Sequence, residues 1–252
     1  MKKSGIQLFI TSLMVISFLF ASQTTWAQSA NQKIIYKAYI NSDMTSWVNT
    51  IHSIETNTPP ASIDQKLELI NFYYGYIGYL IGKKKNEMAK KEISFAQKII
   101  NDVLKSSPKN VSAMAFKGSF MGFEMSINKL KSISLGTESL SCINKAYEAD
   151  PRNIQAVTDK ANALFQAPAL FGGDKKEAIK IYLKAINLIE SSKSTDQNWL
   201  YLHILITLGK AYEKQNDLLA AKLIYEKALH KEPTFRLVKE NLYPSLLSKI
   251  KK

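Results

Sequence analysis

The clearest pattern of apolar and polar positions lies near the carboxyl terminus. Between Leu202 and Pro233, large side chains stand at Leu205, Leu208, Tyr212 and Tyr225, and small ones at Gly209, Ala221 and Ala228. Spacings of three and four residues put each group on one face of a helix. Two helices are therefore predicted, the small residues letting them approach closely while the large ones fill the space between. Pro233 ends the second helix, because it has no N–H to donate and its ring clashes with the preceding turn.

The pattern recurs upstream. Pro151 follows Ser139, Ile143 and Ala146, and Pro108 follows Ala96, Ile100 and Val103, with Gly118 and Gly75 as the small residues of the helices before them. A third segment carries Ala161 and Leu164, then Ala178, Tyr182 and Ala185, with Glu190 where the others have proline. Four helix pairs emerge, starting at Glu68, Val111, Ile154 and Leu202. Ser62 with Gln65, and Asp174 with Glu177, have the spacing of capping boxes, in which two side chains reciprocally satisfy the free amides of a helix start.

The stretch from Leu202 to Pro233 resembles a tetratricopeptide repeat, and the chain as a whole is similar to that family. The resemblance implies an all-α fold, a right-handed superhelix of antiparallel helix pairs, or α-solenoid. The pairs are spaced more widely than the usual period of about 34 residues. The surplus falls in residues 82–87, 126–136, 167–173 and 191–198, where longer helices or loops must take it up.

Residues 62–233 hold the four pairs. Before them, residues 28–61 hold a degenerate pair, with Asp43 as a helix cap and Pro59 and Pro60 in a closing linker. After them, residues 234–252 supply Phe235, Leu237, Val238, Leu242, Leu246 and Leu247 to a capping helix kinked or ended near Pro244. Such caps cover the last apolar faces of an array. The connector at residues 167–178 is read as an extended turn that packs Leu170 and Phe171 onto the array, with Gly172 and Gly173 feeding the Asp174 cap.

Residues 1–27 read as a secretory signal peptide: Lys2 and Lys3, an apolar run over residues 8–21, then Thr25-Trp26-Ala27 as the cleavage site. A periplasmic or secreted bacterial protein follows, with no stable membrane insertion once the signal is removed. Cys142 is the only cysteine, so no internal disulfide can form, and a buried thiol is expected. The net charge of +13 could attract an anionic partner. Arg152 and Arg236 are the only arginines, however, and planar recognition of phosphate or base edges favours arginine, so no nucleic-acid partner is expected.

Chemistry is hard to assemble from this sequence. His52, His203 and His230 are scattered without metal-ligand spacing, Gly172-Gly173 lacks the rest of a phosphate loop, and no serine sits in a nucleophile elbow. No enzyme activity, cofactor or metal is expected. The tetratricopeptide resemblance implies instead a concave groove made by the first helix of each pair, binding a protein or peptide. Its register assigns His203, Ile206, Lys210, Glu213 and Lys214 to the groove in the last pair, and Gln155, Thr158, Asn162, Phe165 and Gln166 in the third. In the first pair it assigns Leu69, Phe72, Tyr76, Tyr79 and Leu80, an aromatic patch suited to an apolar peptide or a partner helix, with core beneath the N-terminal cap as the reading preferred to it. The connector, in turn, looks like one found in exported repeat proteins associated with TRAP-type solute transporters, which gives an alternative reading as a solute-binding or accessory component.

Overall fold

The computed structural model describes residues 29–251, so the signal-peptide reading of residues 1–27 lies outside them. The described residues form helices joined by turns, without strands. An N-terminal pair, α1 (Ala30–Asn41) and α2 (Met44–Asn57), precedes four longer pairs. These are α3 (Ile63–Gly82) with α4 (Asn86–Ser106), α5 (Val111–Ile127) with α6 (Lys131–Ala149), α7 (Ile154–Gln166) with α8 (Lys175–Ser191), and α9 (Trp199–Lys214) with α10 (Leu218–Lys231). A π-helical turn, Val238–Leu242, leads into α11 (Tyr243–Ile250). Each helix packs on its chain neighbours, and α3, α5 and α7 also pack on one another in order, which makes the array an α-solenoid of stacked antiparallel pairs.

The helix starts have a common chemistry. Asn110, Asn153 and Asn198 each accept a hydrogen bond from the backbone amide three residues on, at 2.9, 3.0 and 3.0 Å. These caps open the first helices of the last three pairs, and sequence analysis passed over all three. Asp43 and Asp217 cap α2 and α10 in the same way. Ser62 and Gln65 form the expected reciprocal box. Asp174 instead takes both amides itself, from Lys176 and Glu177.

The small positions do what close packing asks of them. A Cβ added at Gly118 would lie 2.6 Å from Ile143 and 2.7 Å from the Ser139 carbonyl, and one at Gly209 only 2.3 Å from the Tyr225 ring. These contacts join the first and second helices of their pairs at the residues the pattern named. Gly75 departs from this: its Cβ would meet Trp47 and Trp199, from α2 and α9, instead of α4. The register of the first pair is thus rotated from the one the repeat implies.

Two local expectations are corrected. Leu170 and Phe171, in a 3-10 turn, are 87% and 64% exposed and do not pack on the array. The connector folds back through its backbone instead, with Asp174 N–H donating to the Leu164 carbonyl at 2.9 Å and Gly173 N–H to that of Pro168 at 3.1 Å. Gly172 has φ +81°, and a Cβ at Gly173 would lie 1.9 Å from the Ala167 carbonyl oxygen, so the turn needs both glycines. Cys142 is half-buried, and that burial pushes its thiol up. At the C-terminal end the π turn lies just before Pro244, where a wider turn takes up the missing amide, while Phe235, Val238 and Leu246 are fully buried.

Candidate partner-binding surface

The first helices α3, α5, α7 and α9 present one side to the hollow of the superhelix. In this protein most of that hollow is filled by its own side chains. Trp47 of α2 and Trp199 of α9 meet edge to face, ring centroids 5.0 Å apart, over the bare backbone of Gly75. Each indole N–H is satisfied within α3: Trp47 Nε1 donates to the Phe72 carbonyl and Trp199 Nε1 to Asn71 Oδ1, both at 2.9 Å. Tyr39 of α1 completes the plug, contacting Trp47, Trp199 and Phe235 and sharing a 3.2 Å hydrogen bond with His203 Nδ1.

A polar seam continues inward from these rings. Asn71 Nδ2 approaches Gln155 Oε1 at 3.4 Å, and Gln155 Nε2 donates to Asp159 Oδ2 at 2.9 Å. Asn162 Nδ2 donates to the Tyr74 hydroxyl, and the Tyr182 hydroxyl donates to Asn162 Oδ1, both at 2.6 Å. Asp159 is fully buried. Burial pushes its carboxyl up to about 7, against the pull of Gln155, Ser119 and Tyr74. His203 is displaced the other way: burial, and then Lys210, push its imidazole down to about 4.

The residues assigned to a groove by the repeat register therefore fall into three groups. Phe72, Tyr76, Gln155, Thr158 and Ile206 are buried, as are Leu69 and Leu80, so the aromatic patch of the first pair is core. Tyr79, Asn162, Phe165, His203 and Glu213 are half-buried. Of these, Asn162 and His203 belong to the seam and plug, while Glu213 accepts from the Tyr225 hydroxyl and Lys249 Nζ, each at 2.6 Å. Only Gln166, Lys210 and Lys214 are exposed. All three stand toward the carboxyl-terminal ends of α7 and α9, Gln166 beside the half-buried Phe165.

No family model matches the chain, and neither does any curated protein. The site is thus read from its own geometry. Asn71, Tyr74, Asp159 and Trp199 organise the hollow, and none was singled out from the sequence. The signal available was a run of polar residues on the inner side of α7, Gln155, Asp159 and Asn162, facing a tyrosine-rich α3. Among the described residues, no three His, Cys, Asp or Glu side chains converge to hold a metal ion, and no helix is long and apolar enough to cross a membrane.

Proposed function

We propose that this chain is an exported, non-catalytic scaffold of the tetratricopeptide type that binds a protein or peptide partner. The observation that carries the reading is the ordered stacking of helix pairs, which leaves Gln166, Lys210 and Lys214 exposed at the carboxyl-terminal ends of the first helices α7 and α9. Phe165 offers an apolar edge there, and Gln166, Lys210 and Lys214 offer donors and positive charge that suit an acidic or carboxylate-bearing segment. The rest of the inner face is committed to the fold, so the partner site is a short patch.

The test is affinity capture from the native envelope with wild type and with a Lys210→Glu/Lys214→Glu variant. A polypeptide retained by wild type is expected to bind the variant about tenfold more weakly or worse, since opposed charges now face like charges. Equal retention by both, or no retained polypeptide at all, would remove this function.

A further inference from the structure

The two edges of the solenoid differ in a way that neither the repeat nor a protein-binding strip requires. Antiparallel pairs stacked in order bring the turns within pairs to one edge and the turns between pairs to the other. Within the four long pairs, the first edge carries Leu130, Ile133, Leu170 and Phe171, exposed by 77%, 90%, 87% and 64%, joined by Leu219 at 68%. Lys83 to Lys85, Lys129, Lys175 and Lys176 are exposed around them, as is Lys131, which pairs with Glu124. The acidic residues of these turns and of the first three residues of the helices they lead into are Glu87, Asp174, Glu177 and Asp217; the two aspartates are turned back onto helix amides as caps, and Glu177 pairs with Lys180.

The opposite edge is built otherwise. Its turns and the first three residues of the helices that follow balance Lys109, Arg152, Lys193, Arg236 and Lys239 against Asp64, Asp150, Asp196, Glu232 and Glu240. None of the exposed large apolar side chains among the described residues lies in those turns. Apolar side chains held out at turn tips and ringed by lysine suit a surface that is apolar beneath and anionic on top. Such a surface rewards both features at once, and either alone binds it weakly.

We infer that this edge seats the protein on an anionic lipid bilayer, with Leu130, Ile133, Leu170 and Phe171 entering the headgroup boundary and the lysines meeting lipid phosphates. The inference does not rest on the protein-binding reading, although the carboxyl-terminal ends of α7 and α9 lead into the turns of this same edge, so the two surfaces adjoin.

The experiment uses the full chain with Phe171→Trp, mixed with phosphatidylglycerol vesicles containing brominated acyl chains, and subtracts the emission of the unsubstituted chain. Emission from the new indole is expected to shift to the blue and be quenched, with no such change on phosphatidylcholine. In parallel, Lys83→Glu/Lys84→Glu/Lys85→Glu and Leu130→Ser/Ile133→Ser/Leu170→Ser/Phe171→Ser are each expected to lower partition onto phosphatidylglycerol about tenfold or more. The substituted side chains are exposed, so helical content measured by circular dichroism should be unchanged. An indole at position 171 that stays in water on vesicles overturns the inference, whatever residues 1–27 do. So does equal binding to neutral lipid, or an edge that turns out to capture a protein while ignoring lipid.

Discussion

At the scale of single residues, the inner seam sets a pH dependence. Asp159 has a folded-state value of about 7, above the ordinary carboxylate range, so the folded protein holds a proton that the unfolded chain has released between about pH 4 and 7. Stability tied to this group is present at the acid end of that window and lost as pH rises through 7. His203 runs oppositely. Its value of about 4 lies below that of an exposed imidazole, so its contribution is present above about pH 6.5 and is lost as pH falls through 4. The two slopes offset each other in wild type. Replacing Asp159 with Asn keeps an acceptor for Gln155 and removes the charge. The variant should therefore gain on wild type as pH rises, by about 2–4 kcal/mol between pH 4 and 8, measured by urea denaturation at several pH values. A gap that stayed constant with pH would mean that Asp159 is already ionised in the fold.

Helix pairing is decided by how near two backbones can come. In the α9 and α10 pair, the Tyr225 ring lies over Gly209, and its hydroxyl is held by Glu213. Gly209→Ala should push that ring off its seat and cost about 1–3 kcal/mol by overpacking. Gly78, in the middle of α3, has nothing within 4 Å of an added Cβ. Gly78→Ala should stabilise by about 0.5–1 kcal/mol, because alanine loses less backbone freedom in a helix. Chemical denaturation of the two variants side by side is the measurement. Equal effects would show that the contact at Gly209 plays no part in pairing.

Across the whole molecule, the two ends of the array are tied together, which a linear stack does not require. Tyr39 lies against Trp199 and Phe235, the Tyr36 hydroxyl donates to Glu232 at 2.9 Å, and α1 packs directly on α9. Repeat arrays joined only through neighbours can fray from their ends. Here α1 is expected to hold its amide protection as long as α9 does. Tyr39→Ala should cost about 2–3 kcal/mol, short of the full value for a large aromatic because the ring is half-buried, and should release α1 ahead of α9 in native-state hydrogen exchange. Unchanged protection of α1 in that variant would show that the ends are held by something else.

Much of this architecture was legible in the chain. Alternating small and large residues such as Gly209, Ala221, Tyr225 and Ala228 specify paired helices, because those contacts are made between elements close in sequence and the spacing that makes them is printed there. The three prolines and the Ser62 cap are equally local. The contents of the hollow were not legible. Whether Phe72, Gln155 or Ile206 lines a groove or fills a core depends on how tightly the superhelix closes, and closure is set by Trp47, Tyr39 and Trp199 meeting across long stretches of chain. The fate of Leu170 and Phe171 was likewise decided by the backbone bonds that fold their connector back on α7 and leave both side chains outside. Sequence alone determined the helices and their pairing, since local periodicity carries that information. Tertiary structure alone decided which face stayed open, since burial is a property of surfaces that come together only when the whole array has closed.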